Sequence, residues 1–88
     1  MEINLYRSKI DEIDSELTEL FLKRLDLCGY ISRYKSFNKM PIRCEEREKE
    51  ILVAECEKCT DGRKEFLREF YENIFEVTRK YEEEVAKK

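Results

Sequence analysis

The chain has 88 residues, of which 44% are charged and 41% are apolar, with two glycines and one proline. This length allows one domain, spanning residues 1–88, and the shortage of turn residues favours long amphipathic helices over a sandwich or barrel. A net charge of −3 without a basic stripe argues against nucleic-acid binding, and no apolar run approaches the roughly 20 residues of a membrane span. The amino-terminal sequence predicts no secretory signal, so the expected location is the cytoplasm.

The first predicted helix covers residues 3–37. Steps of three and four residues link an apolar seam that contains Arg24 and is otherwise made of Ile3, Tyr6, Ile10, Ile13, Leu17, Leu20, Leu27, Ile31 and Tyr34. At 1.5 Å per residue this helix is about 50 Å long, whereas a small domain is about 30 Å wide. Because the later helices are shorter, we expect a second copy of the chain to cover the seam, giving an intertwined homodimer in which two long helices pair.

Two shorter helices follow. Pro41 disfavours helical geometry at Met40 and ends the first pattern. The second helix is predicted over residues 44–59, and the third over residues 63–85 after a break at residues 60–62. The apolar stripe of the third helix is expected to contain Phe66, Phe70, Ile74, Val77 and Tyr81, widened by Tyr71, Phe75 and Thr78. The predicted fold is therefore all-α, with three helices per chain in a homodimeric bundle.

Four cysteines leave metal, redox and structural roles open. Cys56 and Cys59 have the spacing of a metal or redox pair, but the chain has no histidine, and Cys28 and Cys44 lie far apart in sequence. Unpaired cysteines in a reducing compartment are most often small core residues. We therefore favour structural thiols and expect no metal and no cofactor, with a metal or redox role as the alternative.

Two cations interrupt the apolar face of the first helix. Arg24 is the only charged side chain of the seam, and Lys35 lies about 20° from it on the same face, roughly 16 Å further along. Because a buried unpaired charge is strongly unfavourable, this arrangement predicts a pocket for an anionic ligand. The alternatives are a register-setting or snorkelling role for Arg24 and a helix-dipole role for Lys35.

Further charges are less informative on their own. Glu48 suits the dipole in the first turn of the second helix, whereas Arg47 is mildly unfavourable there and weakly indicates another role. Glu82 lies at the edge of the apolar stripe of the third helix, followed by Glu83 and Glu84. On periodicity alone, the favoured interpretation of Glu82, Glu83 and Glu84 is a solvated acidic run.

The order of these residues resembles the all-helical chorismate mutases over nearly the whole chain. Five short segments carry the resemblance in matching order and spacing: Arg7 to Asp14, Leu20 to Arg24, Tyr34 with Lys35, Pro41 to Glu48, and Glu76 to Glu82. Each segment alone is a weak match, but the five together are specific. The resemblance implies a homodimeric isomerase that converts chorismate into prephenate in phenylalanine and tyrosine biosynthesis, without metal or cofactor.

The resemblance also implies roles for individual residues. Arg7 would reach into the partner's site, where it and the partner's own copy of Arg24 would hold the two substrate carboxylates. Lys35 would contact the ether oxygen and a carboxylate, and Glu82 would face the same oxygen from the opposite side. Arg24, Lys35 and Glu82 would thus be the catalytic residues.

The remaining substrate-binding residues come mainly from the second helix. Glu48 would bind the ring hydroxyl, Arg47 would line the substrate side, and Thr78 of the third helix would lie beside the pocket.

Two positions depart from the family pattern. Cys44 stands where the family often has Asp, so a contact on the hydroxyl side would be lost or replaced. Glu82 stands where many members have Gln, and an ionised carboxylate would repel an ether oxygen that gains negative charge. We therefore expect Glu82 to be neutral during turnover, with a pKa raised by apolar surroundings.

Two other functions stay open. An isochorismate-pyruvate lyase on the same fold would use a similar cationic pocket for a similar dianion. A non-catalytic helical dimerisation module would explain the long seam, but it gives no reason for Arg24 to occupy that seam.

Overall fold

A computed structural model describes residues 2–87 and contains three α-helices: α1 (Ile3–Phe37), α2 (Glu45–Cys56) and α3 (Lys64–Ala86). The prediction of an all-α fold with one long and two shorter helices is confirmed. The predicted second helix was too long at its carboxyl end, since α2 stops at Cys56 rather than at residue 59. The backbone N–H groups of Lys58 and Cys59 bond three residues back, to Glu55 and Cys56, and this tightening ends the helix in a turn.

Helix α1 ends in a Schellman motif. The Met40 N–H bonds to the Lys35 carbonyl at 2.7 Å, and the Lys39 N–H bonds to the Ser36 carbonyl at 3.2 Å. Lys39 takes the left-handed conformation that this motif requires, with φ of 56°. The Asn38 side chain also donates to the Tyr34 carbonyl at 2.8 Å. These bonds satisfy the last carbonyls of α1 and turn the chain toward α2.

Helix α3 packs against both other helices. Residues of α1 and α3 pair in increasing order, Arg24 with Thr78 and Ser32 with Glu82, so these two helices run in the same direction. Helix α2 runs the opposite way, since Glu48 at its start meets Arg79 near the end of α3. The cavity described below lies where the three helices come together.

The buried face of α3 differs from the predicted stripe. Phe75, Thr78, Glu82 and Val85 are buried, whereas Phe66, Phe70 and Val77 of the expected stripe are exposed. The spacing of the buried residues, three, four and three, is that of a packed seam with two polar members. Apolar periodicity placed Phe75 and Thr78 among the residues that widen the stripe and Glu82 at its edge, so the buried face lies to one side of the predicted centre.

The apolar seam of α1 is not covered by its own chain. Its apolar members from Ile3 to Tyr34 are 47% or more exposed, while the residues of α1 that are buried against α3 are Gly29 and Ser32. Gly29 permits a close approach, because a Cβ at this position would stand 3.3 Å from Tyr81 Cε2. Arg24 belongs to the exposed apolar seam and also lies next to the face of α1 that packs on α3.

The single chain is long and thin. Its principal extents are 55 × 26 × 14 Å and its radius of gyration is 16.1 Å, whereas a compact chain of this length has a radius of gyration of about 12 Å. Among residues 2–87, no helix combines the length and apolar character needed to cross a bilayer.

The four cysteines have different environments and form no disulfide. Cys56 is buried, as a structural thiol should be, but Cys44 is exposed and precedes the first residue of α2, so it is not a core residue. Cys28 and Cys59 are half-buried. Within the described part of the chain, no group of three or more His, Cys, Asp or Glu side chains is arranged to hold a metal ion.

Candidate active site

A cavity of about 400 Å³ lies between the three helices, within the range of small-molecule sites. It brings together seven of the predicted site residues: Arg24, Lys35, Cys44, Arg47, Glu48, Thr78 and Glu82. The cavity is partly open to solvent, and its apolar walls include Ile51 and Phe75. The residues that break the apolar pattern in sequence therefore converge on one site.

Arg24 is half-buried and faces α3. Its Nη1 donates to Thr78 Oγ1 at 3.1 Å, and its guanidinium carbon lies 6.0 Å from the centre of the Phe75 ring, close enough for a cation–π interaction. Neither partner is an anion. Among the salt bridges of residues 2–87, none includes Arg24, so its charge is available to a ligand.

Lys35 lies in the last turn of α1, where its charge also suits the helix dipole. Its Nζ donates to the Ile42 carbonyl at 3.1 Å, which ties the ammonium to the loop between α1 and α2. Lys35 forms no salt bridge with another residue of the described chain. The cavity thus contains two cations from one helix, neither of which has a carboxylate partner.

Glu82 is buried, with 9% of its surface exposed, so the solvated-run interpretation is wrong for this residue. Glu83 and Glu84 beside it are exposed, as that interpretation expected. Burial raises the pKa of Glu82; Lys35 and Arg24 oppose the rise, Glu48 adds to it, and Arg79 opposes it. Glu82 forms no salt bridge with the described cations, so a protonated carboxyl group can donate into the cavity.

Residues of α2 and the preceding loop form the opposite wall. Glu48 is largely buried and is held by two arginines: Arg79 Nη1 lies 3.0 Å from its Oε2, and Arg43 Nη2 lies 3.3 Å from its Oε1. Arg47 also lines the cavity but is exposed and pairs with Glu50 at 3.3 Å. Cys44 borders the cavity at the start of α2.

Arg7 is not brought to this cavity. It is exposed on α1, and the seventeen residues to Arg24 on the same continuous helix amount to roughly 26 Å. Within one chain, Arg7 therefore cannot touch a ligand bound beside Arg24. Its predicted role requires a second copy of the chain and stays a prediction.

Sequence reasoning missed several residues of the cavity, above all Arg79 and Arg43. Arg79 precedes Glu82 by three residues, one helical step on the same side of α3, and this spacing could have indicated it. Cys28, which the sequence predicted to be a structural thiol, also lines the cavity. Burial raises the pKa of the Cys28 thiol, although the charge of Arg24 opposes the rise. The raised pKa favours the protonated thiol, which is a weak nucleophile.

Comparisons with known proteins point to one family. The profile of the family described as chorismate mutase type II matches residues 6–83. The T-protein of Haemophilus influenzae is 39% identical over 77 residues, an alignment that covers 76% of this chain and 20% of the T-protein. The chain thus spans about a fifth of the length of that relative. No solved structure matches the chain.

Proposed function

The chain belongs to the type II chorismate mutases, and on that premise we propose that it isomerises chorismate to prephenate in the cavity between α1, α2 and α3. The observation that carries the proposal is the pair of cations Arg24 and Lys35, which have no anionic partner among residues 2–87 and share one cavity with the buried Glu82. Cations held in a partly buried site without a partner favour an anionic ligand. Chorismate is a dianion of suitable size for this cavity.

The reaction is a one-step rearrangement within a single molecule. A C–O bond breaks while a C–C bond forms, so no nucleophile, proton transfer or redox partner is involved. The protein has to hold the flexible substrate in a compact shape, which arginine contacts to both carboxylates impose. Arg24 supplies one such contact, and Arg7 of a second copy supplies the other.

Charge builds on the ether oxygen as the C–O bond stretches. The Lys35 ammonium and the protonated Glu82 carboxyl group stabilise that charge more in the transition state than in the ground state.

Glu48 binds the ring hydroxyl and Arg47 lines the substrate side of the pocket. Thr78 accepts the hydrogen bond that orients Arg24. Because Thr78 itself is only 6% exposed, it supports Arg24 from beside the substrate. Cys44 occupies the hydroxyl side, where its thiol is a weaker hydrogen-bonding group than a carboxylate.

A homodimer completes the site in this proposal. The exposed seam of α1 is apolar over most of its length, and a second α1 would cover it. The same arrangement brings Arg7 of one copy toward the cavity of the other. Participation in phenylalanine and tyrosine biosynthesis, which the family implies, and a cytoplasmic location both stay predictions.

The decisive experiment offers chorismate and, separately, isochorismate to the purified chain and follows the loss of substrate absorbance. We expect chorismate to be consumed with prephenate as the product. Release of salicylate and pyruvate from isochorismate would instead indicate the lyase, and no reaction with either compound would favour a dimerisation module.

Replacing Lys35 tests the electrostatic part of the mechanism. We expect Lys35→Ala to lower kcat about 100–1000-fold, because one donor to the developing oxyanion is lost. Lys23→Ala is the matched control, since Lys23 is exposed on the same helix and pairs only with Glu19. Near-native turnover by Lys35→Ala would contradict the role of Lys35 in catalysis.

A further inference from the structure

A carboxylate on α2 is held from two sides. Glu48 Oε2 accepts a hydrogen bond from Arg79 Nη1 at 3.0 Å, and its Oε1 accepts one from Arg43 Nη2 at 3.3 Å. The side chains of Glu48 and Arg79 are 18% and 25% exposed, whereas that of Arg43 is 50% exposed. Because solvent and salt screen an exposed pair more strongly, the contact with Arg79 is the more rigid and the stronger of the two.

The contact between Arg79 and Glu48 joins two helices that both line the cavity. Helix α2 packs on α3 and not on α1. Arg79 lies on α3 between Thr78 and Glu82, so it ties Glu48 to the helix that carries these two residues. The position of Glu48 relative to Glu82 therefore depends on this ion pair.

We propose that Arg79 is a positioning residue, which holds the Glu48 carboxylate at the cavity and so sets where the ring hydroxyl of the substrate is bound. This inference rests on the proposed function. A direct contact between Arg79 and a substrate carboxylate is the competing arrangement. It requires Arg79 to leave Glu48, although Arg24 and Lys35 already offer cations with no anionic partner in the same cavity.

Kinetics of single and double variants test the proposal. Arg79→Ala and Glu48→Gln should each raise KM for chorismate about tenfold, as expected for a lost charge-assisted hydrogen bond that binds ground state and transition state alike. The double variant should be no worse than either single variant, because both remove the same contact. Lys80→Ala is the matched control; it removes a neighbouring cation of α3 that is 74% exposed and pairs with Glu76.

A conservative variant separates positioning from a general structural role. Only Nη1 of Arg79 reaches Glu48, so Arg79→Lys keeps a cation that can make a single contact. We expect the KM of Arg79→Lys to lie much closer to the wild-type value than the KM of Arg79→Ala. Equal KM values for the two variants would overturn the proposal.

The pH profile provides a second, independent readout. The charged groups that shift the pKa of Glu82 are Lys35 and Arg24 from α1, Glu48 from α2 and Arg79 from α3. The titratable thiol of Cys28 on α1 lines the same cavity and also interacts with Glu82. Arg79→Ala removes a cation and should shift the alkaline limb of kcat, which reports the ionisation of Glu82, to higher pH. Glu48→Gln removes an anion and should shift it to lower pH. The proposal is supported if both variants raise KM by a similar factor and move the alkaline limb of kcat in opposite directions. It is contradicted if both variants move this limb of kcat in the same direction.

Additive KM effects in the double variant would show that Arg79 and Glu48 act separately, and would overturn the proposal. If the wild-type chain converts no chorismate, the proposed function fails, and urea unfolding of the same variants still tests whether Arg79 holds Glu48. Equal losses of stability in Arg79→Ala, Glu48→Gln and the double variant support the ion pair as the link between α2 and α3. Additive losses contradict it.

Discussion

Two acidic residues of this chain show how the local environment sets protonation. Asp61 is exposed in the turn before α3, where hydrogen bonds from the side chain and backbone of Arg63 hold the pKa of its carboxyl group well below its usual range. Glu82 is buried on α3, and burial raises its pKa even though Lys35 and Arg24 oppose the rise. The difference has two causes: Asp61 gains hydrogen bonds from Arg63 while it stays in solvent, whereas Glu82 loses water without gaining a salt bridge to a described cation.

This raised pKa predicts a pH dependence of turnover. Glu82 must be protonated to donate to the ether oxygen, so kcat should fall as the pH rises through the raised pKa of Glu82. Glu82→Gln keeps a donor that does not titrate, and its kcat should be nearly flat over the same range. The measurement is kcat for chorismate as a function of pH, with Glu83→Gln as the control, since Glu83 is an exposed neighbour.

Unfolding gives a check on this prediction that does not depend on activity. Between the usual and the raised pKa of Glu82, the folded state holds the proton that the unfolded state has lost, so stability should decrease with rising pH in this window. The Glu82→Gln variant should lack this part of the dependence. A profile of kcat that keeps its alkaline limb in Glu82→Gln would remove Glu82 from the mechanism.

At the scale of elements, the packing of α1 on α3 places Glu82 in the cavity. Gly29 allows the helices to approach, and the Ser32 hydroxyl, which is fully buried, donates to the Glu82 carbonyl at 2.7 Å. This bond joins the two helices at the residue whose side chain enters the site. A small residue followed one turn later by a buried hydroxyl therefore sets the register between α1 and α3.

Removing the hydroxyl tests this arrangement. Ser32→Ala should lower the free energy of unfolding by about 1 kcal/mol relative to Ser15→Ala, as expected for a buried hydrogen bond. Ser15 is exposed on α1, so the Ser15→Ala variant corrects for the higher helix propensity of alanine. Urea unfolding monitored by circular dichroism gives both values. Equal stability of the two variants would show that the bond does not hold the helices together.

At the scale of the whole molecule, the single chain is extended and leaves an apolar face uncovered. Its radius of gyration exceeds that of a compact chain of equal length, and the apolar seam of α1 is exposed. Arg7 lies too far along α1 to reach the cavity of its own chain. These features agree with a site built from two copies, as the proposed function requires.

Mixing two inactive variants tests for a shared site. If each site takes Arg7 from one copy and Lys35 from the other, then Arg7→Ala and Lys35→Ala should each be nearly inactive. After unfolding and refolding together, half of the dimers are mixed and contain one intact site, so the mixture should regain about a quarter of the wild-type activity. Lys9→Ala, a neighbouring exposed cation, serves as the control for Arg7.

Sedimentation of the same samples gives the oligomeric state. A mixture that is dimeric but stays inactive would contradict a site that takes Arg7 from one copy and Lys35 from the other.

The sequence by itself determined the three helices, the long α1 and the family. These properties are encoded locally, in apolar periodicity, in the turn residues around Pro41 and in the spacing of segments such as Pro41 to Glu48. The same local order predicted that Arg24 and Lys35 share a face, because the geometry of one helix is known in advance.

Only the tertiary structure decided which face of each helix is buried within the chain. Periodicity placed Glu82 only at the edge of the apolar stripe and favoured a solvated run with Glu83 and Glu84. Its burial results from the approach of α1 at Gly29 and Ser32. The contact between Arg79 and Glu48 joins residues 31 positions apart and could not be read from either helix alone. Burial and long-range ion pairs depend on how helices pack, and so does the raised pKa of Glu82, on which the proposed chemistry depends.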